Sequence, residues 1–370
     1  MAIVSFAPGV MPGTDPSESA RALEAELPAP HSPALPELPA RGHAAGLMGR
    51  AAAMLPEMPT DLTSYGWRLA SGPGSDARRA STLLRADVDA LADVRGERLE
   101  SGAAEASPPL TVFVLGPVSL CAALALPDGE KTLIDHGARR DVTESLADGV
   151  SELLARLRRT ASPSQLRLVL LEPDHHRVRT GGVPTVSGYR SIRALPRDDA
   201  RAMLGTVLAA VRAEGAAADE VLIDLGRAPE DEAVQDLLAR SEARADGFVL
   251  PTTTMRPPDW ERAAELTEAG ARCAFSVLGA EDLGAQLLPE VSTLAERVAG
   301  PWQAMGMPLS SLDDLTLTAV GAEVVGRGGP VRGGLTRDGL ARLSLVSALR
   351  TVTRVRDAAE ALEDRRRQAS

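Results

Sequence analysis

The chain predicts an α/β fold, an eight-stranded (β/α)8 TIM barrel, and three observations lead there. Short, continuously apolar runs alternate with amphipathic stretches along the 370 residues. Such runs suit parallel strands buried on both faces. About eight of them are each followed by a helical segment, which is the rhythm of the barrel. A doubly wound open sheet is the competing arrangement, but no GxGxxG follows the first run. No internal repeat is evident, and residues 1–370 read as one barrel unit.

The elements follow in order. "AIVSF" (2–6) predicts the first strand, and "DPSESARALEAEL" (15–27) a helix with Asp15 or Ser17 as N-cap. "ALPEL" (34–38) is a weak strand, and a helix is expected from Ala44 to about Leu55. "YGWRLA" (65–70) reads as a hairpin arm outside the main pattern, and 76–94 as helix. Residues 96–109, "GERLESGAAEASPP", read as a flexible connection. "LTVFVLG" (110–116) is a strong strand ended by Gly116-Pro117, with a helix after Pro117 and another from Ala138 to about Arg159. Strands are then expected at 166–172, 220–225, 247–251, 272–278 and 315–320, with helices near 197–214, 229–243, after Pro257-Pro258, near 284–303 and from Thr336 to Glu363.

Composition narrows the function classes. A formal net charge of -11 and 2% aromatic residues do not suit nucleic acid or anionic lipid. No apolar run approaches the roughly 20 residues of a membrane span. The start "MAIVSFAPGVMPG" has no basic n-region and reads as a strand, so a soluble cytoplasmic protein is expected. Cys121 and Cys273 stand among apolar residues and read as small buried hydrophobes.

The stretches "MPGTDPSESARAL" (11–23), "ELPARGHAAGLMGRAAAML" (37–55), "YGWRLASGPGSDARRASTLLRADVDAL" (65–91) and "LGPVSLCAAL" (115–124) carry a resemblance, with a weaker echo at "LEPD" (171–174). The chain resembles the C-terminal barrel of cobalamin-independent methionine synthase in its short single-barrel form, an architecture similar to uroporphyrinogen decarboxylase. The resemblance implies a zinc ion that lowers the pKa of the homocysteine thiol, which then takes a methyl group from a methylfolate. It implies a His-x-Cys, a Glu and a Cys as ligands at three strand ends. In this sequence those positions fall on Asp224 and Gly226, near Pro251, and on Val320; a substrate-contacting serine falls on Val10. Only Asp224 keeps a donor, a hard carboxylate, where zinc sites use about four donors.

The resemblance also implies that Glu37 holds a substrate amine, its alternative being an ion pair with Arg41. Glu172 either orients an amine or caps a strand end. Beyond the family pattern, Asp174, His175 and His176 are an alternative metal set. Neighbours on an extended loop point opposite ways, however, so a solvated loop binding nothing is expected. "GRGGPVRGGLTRDG" (326–339) is a candidate anion loop, with Arg327 and Arg332 as its charges and a plain loop as the alternative.

Two functions follow. The first is a divergent methionine synthase-like barrel without the zinc ligands, non-catalytic or repurposed to bind a small ligand, with no cofactor. The second is a zinc-dependent methyltransferase acting on homocysteine in methionine biosynthesis. A protein-interaction role is the third class.

Overall fold

Seven of the eight expected strands pair, every pair parallel, in the order β1-β9-β8-β7-β6-β5-β4. They are β1 (Val4–Phe6), β4 (Leu110–Leu115), β5 (Leu166–Leu171), β6 (Glu220–Asp224), β7 (Gly247–Pro251), β8 (Arg272–Ser276) and β9 (Thr316–Thr318). The computed structural model describes residues 2–72, 74–102, 107–215, 218–238, 244–323 and 336–369. β2 (Thr60–Thr63) and β3 (Gly66–Leu69) form a separate antiparallel hairpin, as the 65–70 arm predicts.

The sheet curls. The rings of Phe6 and Phe113, on its two edge strands, meet with centroids 6.1 Å apart. The guanidinium of Arg167 lies 5.0 Å from the Phe6 ring and is paired to Glu220 at 2.6 Å. The architecture is a mixed α/β one with a curled parallel sheet, consistent with an α/β barrel.

The expected weak strand at 34–38 is not a continuous one. Residues 32–37 make isolated parallel bridges to both sheet edges: Ser32 to Phe6, Glu37 to Val10, and Ala34 to Thr111. Ser32 and Glu37 exchange backbone hydrogen bonds with the β1 side, while Pro33 and Leu35 do so with Thr111. Prolines at 30, 33, 36 and 39 remove every third donor, so no unbroken ladder can form.

Helices cover the sheet. α1 (Pro16–Glu26) is capped by Asp15, which accepts from Ser17 N at 2.8 Å. α1 and α2 (Leu47–Ala53) pack on α3 (Ser75–Glu100). α3 runs six residues beyond the expected helix, so the start of the expected flexible connection is helical. Its "ERLE" residues are good helix formers, and Glu97 pairs with Arg21 of α1 at 3.2 Å. Residues 103–106 of that connection lie outside the described residues.

α4 (Pro117–Ala123) follows β4 directly, and α5 (His136–Thr160) packs on α7 (Arg197–Arg212). The pair "HH" opens a short helix, α6 (His175–Thr180), where a loop is expected. α8 (Asp231–Leu237) is shorter than predicted, and 239–243 lie outside the described residues. α9 (Pro257–Glu268) follows β7. The helix expected near 284–303 begins only at Val291, past Pro289, as α11 (Val291–Ala304), and a short α10 (Ala280–Gly284) precedes it. The terminal helix starts as a 3-10 turn at Thr336–Arg342 and continues as α12 (Leu345–Ala369). α12 lies on β1, where Ile3 N donates to Glu363 at 3.0 Å.

Register brings the strand ends level. Leu171 faces Asp224, Pro251 faces Ser276, and Ser276 faces Thr318. The carboxyl ends therefore form one rim, where parallel α/β folds place their ligands.

Candidate functional site

The rim begins at Glu172, one residue past β5 and fully buried. Its carboxylate accepts from Val118 N at 2.9 Å, Ser119 N at 2.7 Å and Ser119 Oγ at 2.6 Å. Those donors exist because Gly116-Pro117 ends β4 and starts α4 at that point. A side chain on Gly116 would place its Cβ 2.3 Å from Glu172 Oε1, so the glycine makes room for the carboxylate. Burial pushes Glu172 up to about 7, against the pull of these hydrogen bonds. The carboxylate thus ties the first turn of α4 to the end of β5.

Asp224 closes β6, and its backbone oxygen accepts from Glu172 N at 2.7 Å. Its carboxylate accepts from Gly226 N at 2.9 Å and Ala322 N at 2.7 Å. Burial pushes it up to about 6. Oδ2 thus pins the loop after β9 to the end of β6, while Oδ1 holds the turn that leaves β6.

The same crossing decides Gly226. It has φ +67°, and a Cβ there would sit 2.7 Å from Ala322 O. A cysteine at this position has no room and the wrong backbone. Pro251 and Val320 have no donor side chain, and Val320 is buried. The residues at the four implied zinc positions therefore do not fit the ion. Val10, where the resemblance implies a serine, is buried and bridged to Glu37.

The Asp174, His175 and His176 set does not converge. Asp174 pairs with Arg177 at 2.7 Å, and His176 Nδ1 lies 3.0 Å from Glu230. Burial pushes His175 down to about 4, helped by the charge of Arg179. Among the described residues no group of three or more His, Cys, Asp or Glu is placed to share a metal ion. Cys121 and Cys273 are buried thiols, as expected, pushed by that burial up to about 12 and about 11.

On the opposite arc of the rim stands Glu37, buried, in the segment that bridges the two sheet edges. The expected ion pair with Arg41 does not form. Arg41 and Arg50 both pair with the buried Asp87 of α3, at 2.7 Å and 2.6 Å. Arg50 also donates to Pro36 O, so this triad holds the backbone beside Glu37. The partner of Glu37 is Arg337, with Nη2 3.4 Å from Oε2.

Arg337 is 1% exposed. Its guanidinium lies 4.8 Å from the Phe113 ring centroid, and Nη2 donates to Pro8 O at 3.2 Å. Its charge also acts on Asp224. Among the described residues, Arg337 Nε and Nη1, Glu37 Oε2 and Thr318 Oγ1 are buried without a hydrogen-bond partner. Sequence reasoning missed Arg337. It selected Arg327 and Arg332 from the same Gly-rich stretch, and both lie outside the described residues. The available signal was position: Arg337 opens the helical turn that leads into α12.

Glu37, Glu172, Asp224 and Val320 thus share the carboxyl end of the strands, but they divide into two arcs. Comparison with known proteins finds no matching family model and no matching curated protein.

Proposed function

We propose that the chain is a divergent barrel of the methionine synthase type that binds a small zwitterion, an α-amino acid or a molecule of that size, at the carboxyl end of its strands. On this reading residues 32–37 are the eighth strand of the barrel, reduced to bridges by their prolines. Zinc-activated methyl transfer is not part of the reading. Asp224 alone of the implied zinc positions carries a donor, and both its oxygens are held by backbone N–H groups.

The observation that carries the proposal is the Glu37–Arg337 pair, one charge of each sign with hydrogen-bonding capacity unused on both among the described residues. Buried polar groups of native proteins are nearly always satisfied, so such a cluster points to a missing partner. A ligand carboxylate suits Arg337, whose planar fork binds carboxylates two-pronged. A ligand ammonium suits Glu37. Phe113 supplies the apolar wall beneath the guanidinium.

The test is a thermal-shift screen of free amino acids, followed by calorimetry with the strongest hit. Arg337→Ala and Glu37→Gln are each expected to raise Kd at least tenfold. Failure of every amino acid to bind overturns the proposal. One equivalent of zinc, with chelator-sensitive methyl transfer from a methylfolate to homocysteine, overturns it in favour of the methyltransferase.

A further inference from the structure

An opening lies on the rim, away from the Glu37–Arg337 pair. It is a cleft of about 1080 Å3 after β7 and β8, bounded by α9 and α11. Thr252–Thr254 form one side, Gly279–Asp282 another, and Glu323, just past β9, its inner end. Its size suits a small molecule, and strand ends of this kind are where such sites occur.

The charge balance selects the ligand class. Arg297 is fully committed: it donates to Val277 O at 2.6 Å and to both oxygens of Asp282 at 2.7 and 2.8 Å. Arg365 is paired with Glu296 at 2.9 Å. Among the described lining residues, cancelling these pairs leaves Glu281 and Glu323. The amino end of α11 adds roughly half a positive charge, which keeps the balance negative. Glu323 is half-buried, and among the described residues its carboxylate has one long hydrogen bond, 3.4 Å from Thr336 Oγ1. That hydroxyl lies closer to Glu323 O, at 2.8 Å. Burial raises the Glu323 pKa, against the pull of the Thr336 hydroxyl. Thr253 and Thr293, both exposed, line the same space.

We infer that this cleft binds a small organic amine carrying further amine or hydroxyl groups, with its ammonium on Glu323 and its remaining polar groups on Thr253 and Thr293. A neutral sugar would leave the carboxylates unpaired, and an anion would be repelled by them.

Calorimetric titration with spermidine and with glucosamine tests the inference, with Mg2+ at matched ionic strength as the control. At least one amine is expected to bind saturably with one-to-one stoichiometry. Glu323→Gln is expected to raise its Kd at least tenfold, and Thr253→Val by a smaller factor. Both positions are solvent-accessible, and circular dichroism of each variant checks the fold. Three results overturn the inference: neither amine binds, Mg2+ displaces the amine at equal charge concentration, or Glu37→Gln weakens it as much as Glu323→Gln. The last would place the amine at the other arc.

Discussion

The two arcs of the rim treat buried charge in opposite ways. At the ends of β5 and β6, Glu172 and Asp224 are held by backbone N–H groups of α4, of the turn after β6 and of the loop after β9. At the ends of β1 and β9, Glu37, Arg337 and Thr318 keep buried polar atoms without partners among the described residues. An unmade buried hydrogen bond costs about 1–3 kcal/mol, so the second arc is held at a cost to stability. On the proposed reading the contrast separates construction from binding: the first arc fastens loops to strands, and the second is where a ligand would have something to complete.

The largest effect is expected on the saturated arc. Glu172→Ala removes the acceptor of Val118 N, Ser119 N and the Ser119 hydroxyl, whose oxygen keeps only the bond from Asp174 N, and is expected to cost about 3 kcal/mol or more in urea denaturation. Ligand affinity at the opposite arc should not change by more than about twofold in the folded fraction. A cost below about 1 kcal/mol would remove the distinction between the arcs.

The unsaturated arc should behave differently in a double-mutant cycle. Arg337→Met alone strands the buried Glu37 charge and is expected to cost about 3 kcal/mol. Adding Glu37→Gln should recover most of that loss, because a buried ion pair is often replaceable by neutral groups at no net cost. The double variant should be folded and unable to bind. A double variant less stable than either single would make the pair structural.

Gly226→Cys, which restores a sulfur at an implied zinc position, is expected to lose about 2 kcal/mol through its positive φ and the contact with Ala322. Metal analysis should find no zinc gained.

The smallest effect is on pH dependence. The Glu172 and Asp224 pKa values, about 7 and about 6, lie above ordinary carboxylate values. Their stabilising contribution is therefore complete below about pH 4 and is lost as pH rises through about 6 to 7. His175, pushed down to about 4, works the other way: its contribution is present above about 6.5 and is lost as pH falls towards 4. Urea midpoints measured across this range should show Glu172→Gln flattening the loss on the alkaline side and His175→Ala the loss on the acid side. A Glu172→Gln profile parallel to that of the parent would contradict the carboxylate assignment.

Much of the fold was legible in sequence. Continuous apolar runs mark the seven paired strands, since burial on both faces leaves a strong local signal. Residues 32–37 were hard to place, because bridges from Ser32, Ala34 and Glu37 depend on the distant partners Phe6, Thr111 and Val10. Glu37, Glu172 and Asp224 were visible as acids at or near strand ends. The pairing of Glu37 was not: Arg41 is four residues away and attractive, yet Asp87 of α3 takes it. Arg337, 300 positions along the chain, reaches Glu37 instead. The "HH" pair was expected on a loop, yet it opens helix α6, with His176 against Glu230.

The central claim is that the unsaturated arc receives a zwitterion. Its most direct test is calorimetry with the best-binding amino acid beside two analogues of that molecule, one lacking the ammonium and one the carboxylate. The account predicts that each deletion weakens binding at least tenfold, that Arg337→Ala is insensitive to loss of the carboxylate, and that Glu37→Gln is insensitive to loss of the ammonium. Analogues that bind as tightly as the parent amino acid, or variants that respond to both deletions alike, would contradict it.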